Sequence, residues 1–191
     1  MKANSLPDLD YLKQCFQIDS TLPSGLRWSL DRPSCHFKYE SLRKTWKTRY
    51  AGKPCGCIVE GRDIDNRYYV TGLNYKVIFN HRIIYAIHNG IIDFNGKTID
   101  HINGDSLNND PQNLRLVTAS ENKLNSKIHK NNTTGHKNIF FREKYKSYDC
   151  GIKINGKLKH IGSYNTLEEA LKARNSYIEH LKETIGDYFR I

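Results

Sequence analysis

The chain has 191 residues, 38% of them hydrophobic and 26% charged, a profile of a folded globular chain and not of a disordered one. Thirty lysines and arginines against 20 acids give a net charge of +10, which favours a polyanionic partner without establishing one. No apolar run follows a basic start, and no stretch is long and apolar enough to span a bilayer, so neither a signal peptide nor a membrane segment is expected.

The first region, about 1–66, opens with Leu9, Leu12, Cys15 and Phe16 at helical spacing. Turn formers follow (Pro23-Ser-Gly25, Asp31-Arg-Pro33) with Trp28 between them. The expectation here is a small helix, irregular strands and a basic loop carrying Lys38, Arg43, Lys44, Lys47, Arg49 and Lys53. Arg43, Lys44, Lys47 and Arg49 are either DNA contacts or a solvated face. Five cysteines (Cys15, Cys35, Cys55, Cys57, Cys150) suit neither a disulfide framework nor a zinc ribbon. Buried thiols of a reducing compartment are the preferred reading; Cys55 and Cys57 with His36 as metal ligands are the minor one.

In the second region, about 67–128, Tyr68–Leu73 and Tyr75–Phe79 read as strands rich in β-branched and aromatic residues. His81–His88 reads as a helix with Gly90 as its stop. Thr98–Ile102 is a short strand entering the polar loop Asn103-Gly-Asp-Ser, and Leu114–Val117 is a second strand. Thr118 and Glu121 form a capping box that starts a helix. In the third region, about 132–186, strands are expected near 136–142, 148–154 and 157–164, with Asn155-Gly156 as a two-residue hairpin turn. A second capping box, Thr166 with Glu169, opens a helix whose apolar face holds Leu167, Ala170, Leu171, Tyr177, Ile178 and Leu181. Residues 123–164 hold ten lysines or arginines and two acids, and clustered charge points to nucleic acid more strongly than net charge does.

Asp100 and His101 end a strand, so their side chains leave on opposite faces. Asn122 stands in the first turn of the capped helix, and a helix packed on the hairpin would bring its amide oxygen close to Asp100. Two hard oxygen ligands suit Mg²⁺, which keeps several waters and completes its shell from phosphate. Phosphodiester hydrolysis needs a group to take a proton from water, and His101 is close to neutral at working pH. Asn113 is placed to tie the loop. Asp-His pairs and loop asparagines also occur with no such role; the whole string decides between the readings.

That string, Ile99-Asp-His-Ile-Asn-Gly-Asp105, then Asn113-Leu-Arg-Leu-Val-Thr118, then Glu121-Asn122-Lys-Leu-Asn125, resembles the HNH endonuclease family, in its phage and homing branch. His81-Arg82-Ile-Ile-Tyr and Asn89-Gly90 match the lead-in of that branch; Ala51–Gly56 and the opening Leu12-x-x-x-Phe16 match it more weakly. The resemblance implies His101 as general base, Asp100 and Asn122 as metal ligands, and Asn113 as the residue holding the loop. Asn122 stands where many members carry histidine, a departure shared with phage homing nickases. It implies Mg²⁺, with Mn²⁺ able to replace it, and no structural zinc. Arg82 is either a phosphate contact or a helix-start residue that stabilises the domain. His88 is a packed or surface histidine, and Asp105 caps the loop.

Gly135-His-Lys-Asn-Ile139, Gly156–Tyr164 and Glu168-Glu-Ala170 resemble an AP2 domain. That resemblance implies that Lys137, Arg142, Lys153, His160 and Ser163 lie on the sheet face entering the major groove. Phe140 and Leu158 stand where plant members carry guanine-reading arginines, so their target sequence is not expected here. The expected fold class is α+β: a ββα-metal (HNH) nuclease core plus a three-stranded antiparallel sheet with one packed helix, AP2-like. The expected division is 1–66 as an N-terminal α+β extension, 67–128 as the HNH domain and 132–191 as the DNA-binding domain. Double-stranded DNA is the expected partner of a monomer or homodimer in the cytoplasm of a bacterium, phage-infected or not. The alternative is a sequence-specific DNA-binding regulator with an inactive nuclease core.

Overall fold

The computed structural model describes residues 5–61, 67–126, 128, 131–154 and 156–185. Asn155 of the expected hairpin turn, and Lys127 and Lys130 of the basic run, lie outside the described residues. The fold is mixed α+β, with small antiparallel sheets and five α-helices among the described residues. The chain divides into two compact units, Met1–Leu116 and Val117–Ile191.

In the first unit, helix α1 (Leu9–Cys15) starts where the Asp8 carboxylate accepts from Tyr11 N at 2.8 Å, satisfying one of the orphan donors of a helix start. Its inner positions Leu12 and Cys15 are fully buried. Strands β1 (Phe16–Ile18) and β2 (Leu26–Trp28) pair antiparallel with Phe16 opposite Trp28, and their rings meet at 4.7 Å.

Four of the six residues expected on a basic loop, Arg43, Lys44, Lys47 and Arg49, stand on helix α2 (Glu40–Tyr50) instead. The helix buries no residue fully, so no apolar stripe announces it. What fixes it is a ring cage. Arg32, only 5% exposed, sets its guanidinium 5.0–5.9 Å from the rings of Tyr11, Trp28, Phe37 and Trp46. Such cation–π contacts are each worth about 0.5–2 kcal/mol. Glu40 in the first turn and Lys47 and Arg49 in the last also suit the helix dipole.

Strands β3 (Cys57–Glu60), β4 (Arg67–Leu73) and β5 (Lys76–Phe79) form an antiparallel sheet in that order. The β4–β5 turn puts Asn74 and Tyr75 in the left-handed region, φ 50° and 59°, the backbone that a tight hairpin needs. Helix α3 (Asn80–Asn89) ends at Gly90, φ 70°, a left-handed stop that glycine adopts without a Cβ penalty. Strands β6 (Thr98–His101) and β7 (Leu114–Val117) pair with each other. One core joins all of this: Leu12, Phe16, Leu26 and Trp28 from the start of the chain pack with Ile83, Ile84, Phe94, Ile99 and Leu114. Each such buried side chain stabilises the fold by about 1.5–3 kcal/mol.

In the second unit, helix α4 (Ala119–Leu124) is opened by the expected capping box of Thr118 and Glu121. Strands β8 (Ile139–Arg142), β9 (Ser147–Ile154) and β10 (Lys157–Tyr164) form an antiparallel sheet with β9 in the middle. Helix α5 (Leu167–Ile185) covers one face, behind the second capping box, where Thr166 and Glu169 exchange two hydrogen bonds of 3.2 Å. Ile139, Cys150 and Ile152 meet Ala170, Ile178 and Leu181 across that interface. No helix among the described residues is long and apolar enough to cross a membrane.

Candidate active site

Strand β6 delivers Asp100 and His101 to its C-terminal end, both nearly buried. The preceding Ile99 belongs to the core, which pins the strand and fixes where the next two side chains emerge. The Asp100 carboxylate accepts from Arg115 Nε at 2.9 Å across the β6–β7 pair. With its partner side chain 18% exposed and its own 10% exposed, this is a largely desolvated ion pair, in which removing either member is destabilising.

His101 meets the side chains of Asn109 and His81. Its Nε2 lies 3.3 Å from Asn109 Oδ1. Its ring meets that of His81 edge-on at 5.1 Å. His81 is 8% exposed on α3, and burial pushes its pKa down to about 3, with the nearby His101 and Arg82 adding to the effect. Asn109, 4% exposed, also donates from Nδ2 to the Ser24 carbonyl at 3.2 Å. The same carbonyl accepts from Asn80 Nδ2 at 3.1 Å, and Asn80 Oδ1 in turn accepts from Thr71 Oγ1 at 2.7 Å. Two glycines leave room for this buried polar chain. A Cβ on Gly25 would stand 3.0 Å from Asn109 Cβ and 2.7 Å from Ile84 Cδ1, and one on Gly56 would stand 2.7 Å from Asn80 Nδ2.

The loop between β6 and β7 is organised by Asn113. Its Oδ1 accepts from Asn103 N at 2.9 Å, and its Nδ2 donates to Asn103 Oδ1 at 3.0 Å and to Asn108 O at 2.8 Å. Asp105 accepts from Leu107 N at 3.0 Å. The structure thus gathers Asp100, His101 and Asn113 on one strand–loop–strand segment. Asn122 lies half-buried on α4, in the second unit, with its N–H bonded to Thr118 O. Arg82 is half-buried on α3 with its guanidinium 5.4 Å from the Phe94 ring centre, and burial lowers its pKa. His88 is exposed.

No group of three or more His, Cys, Asp or Glu side chains is placed to hold a metal among the described residues. The Cys55 thiol is buried and its pKa is pushed up to about 12 by that burial, and Cys55, Cys57 and His36 do not come together as a metal-holding group. What β6 offers is one nearly buried carboxylate. That donor set fits a hard divalent cation that retains water and takes further oxygens from a phosphate. It does not fit a fully protein-caged ion.

In the second unit the strand register sorts the basic candidates. Asp149, Gly151 and Lys153 of β9 share a face, and their partners are Phe140 on β8 and Ser163, His160 and Leu158 on β10. Arg142, two residues beyond Phe140, shares it too. Residues three apart on a strand normally point to opposite faces; the bulge between His160 and Gly162 lets His160 and Ser163 share this one. Asp149 anchors both ends, accepting from Arg142 Nε and from Ser163 Oγ at 2.7 Å each. Lys137 precedes β8 and donates to Leu124 O at 3.2 Å.

Three residues of the first unit's site carry no mark in the sequence. Asn109 is one of several loop asparagines, Arg115 one of many cations, and Ser24 acts through its backbone.

A family profile described as HNH endonuclease matches residues 79–124, the segment from the last residue of β5 to the end of α4. Protein 3.8 of Escherichia phage T7 is 34% identical to the chain over 94 residues, which is 49% of this chain and 77% of that protein. No solved structure matches.

Proposed function

Because the chain belongs to one family with Protein 3.8 of phage T7 and carries an HNH endonuclease domain at residues 79–124, we propose that it is a metal-dependent DNA endonuclease of the phage or homing type. It hydrolyses phosphodiester bonds, by nicking or by cutting both strands. The observation that carries this reading is the match of the HNH profile to the segment in which Asp100 and His101 stand side by side at the end of β6. The nuclease domain is taken as 67–128, with 1–66 as its N-terminal extension and 132–191 as the DNA-binding domain.

Asp100 and Asn122 would hold Mg²⁺ or Mn²⁺. Such an ion, when bound, supplies positive charge to the scissile phosphate and the leaving 3′ oxygen. His101 takes the proton from the attacking water. Asn113 keeps the loop closed behind the strand through its three amide bonds. Arg115 holds the Asp100 carboxylate in place. Arg82 contacts a phosphate neighbouring the cut.

The AP2-like sheet holds the duplex through Lys137, Arg142, Lys153, His160 and Ser163, mostly by gripping phosphates. The shared face of the last four supports this assignment. The enzyme acts in the cytoplasm of a bacterium, including a phage-infected one.

The test is a supercoiled-plasmid assay with Mg²⁺, with Mn²⁺ and with EDTA, scoring open-circle and linear products. Wild type should cut with either cation and not with EDTA. His101→Ala should lose about 100-fold or more in rate, the usual contribution of a general base. Tight DNA binding with no cutting in either cation would replace this reading with that of a DNA-binding regulator.

A further inference from the structure

We propose that Asn109 is a positioning residue for His101: it sets which ring nitrogen takes the proton, and the Ser24 carbonyl in turn sets Asn109. The proposal rests on His101 being the general base.

Donors and acceptors around His101 are matched in a closed space. Asn109 is 4% exposed, so its amide must satisfy itself within the protein. Its Nδ2 donates to Ser24 O at 3.2 Å, which leaves Oδ1 facing His101 Nε2 at 3.3 Å. An amide oxygen only accepts. Nε2 must therefore carry the hydrogen, and the neutral ring keeps its lone pair on Nδ1. Turning the amide over would set Oδ1 against the Ser24 carbonyl, two acceptors face to face, and leave both without a proton between them. That carbonyl is itself held, because Asn80 Nδ2 donates to it at 3.1 Å. Packing blocks the remaining freedom. His81 stands edge-on to the His101 ring at 5.1 Å, and the Asn109 Cβ lies within 3.0 Å of the place a Cβ on residue 25 would take. The proton-accepting atom is then Nδ1, selected by a backbone carbonyl 77 positions upstream of the histidine.

Two readouts on the full chain test this. Long-range ¹H–¹⁵N spectra in mildly alkaline buffer, with the His101 signals assigned by their loss in His101→Ala, should show a pyrrole-like Nε2 and a pyridine-like Nδ1. In Asn109→Leu the two tautomers should mix. In the cleavage assay Asn109→Leu should lower kcat on the order of 10–100-fold at unchanged KM, as removal of an orienting partner does. Asn109→Asp keeps an acceptor toward Nε2 but loses the donor to the Ser24 carbonyl, so it should keep the Nε2–H tautomer while recovering only part of the rate. A wild-type ring protonated on Nδ1, or an Asn109→Leu variant with the wild-type tautomer and kcat, overturns the proposal. If Asn109→Leu does not fold, the tautomers of the wild type and of Asn109→Asp decide: a ring protonated on Nδ1 in either overturns the proposal. Cleavage that survives His101→Ala would remove the general-base reading itself, a separate failure.

Discussion

Two histidines sit ring to ring at the end of β6, and their surroundings treat them differently. His81 is sealed among Tyr68, Phe79 and His101, and burial drives its pKa down to about 3, against about 6.5 in an unfolded chain. Between those values the unfolded chain binds a proton that the folded chain does not. This contribution to stability is therefore intact above about pH 6.5 and declines as the pH falls toward about 3. His81→Leu should flatten the fall of Tm on acidification relative to wild type, by an amount corresponding to a few kcal/mol at about 1.4 kcal/mol per pH unit. Thermal melts of both proteins from neutral to acid pH measure it; parallel curves would contradict it. At this scale the sequence marks the residues whose type is unusual in its place. Asp100 and His101 stand out as a pair. Asn109 does not, because its role depends on a partner 85 residues away, and no local pattern encodes a contact of that span.

Helix starts and stops were the most legible elements, because capping is local chemistry. Both capping boxes and the Gly90 stop are present where spacing puts them. Helix α2 was not legible, since ring packing around Arg32 replaces the apolar stripe by which a surface helix is usually recognised. Under the proposed function the Thr118 box bears on cutting, because α4 carries Asn122. Thr118 Oγ1 accepts from Glu121 N at 3.2 Å, and the Glu121 carboxylate accepts from Thr118 N at 2.6 Å. Thr118→Ala removes the first of these and should cost about 0.5–2 kcal/mol. It should also raise the metal concentration needed for half-maximal cutting. Denaturant melts and a Mg²⁺ titration of the plasmid assay check the two effects separately. Loss of stability with an unchanged Mg²⁺ requirement would detach the cap from the site.

Across the molecule, the basic surplus and the α+β class were readable from composition and periodicity alone. The construction of the first unit's core was not. Leu12, Phe16, Leu26 and Trp28 interleave with Ile83, Ile84 and Ile99, and alternation or helical spacing says which residues turn inward but not which distant segment they meet. A fragment starting at residue 67 should therefore unfold at lower denaturant than the full chain and cut more slowly per molecule. Equal stability and equal rate in the fragment would count against a shared core. The Ser24 carbonyl gives this a sharper edge. It is the peg on which the amides of residues 80 and 109 both hang. A gene-shuffling cassette that imported every motif letter of the HNH string would arrive without that peg. Recombination joints placed between residues 24 and 80 should be tolerated only when the donor and recipient loops present an oxygen at the same spot.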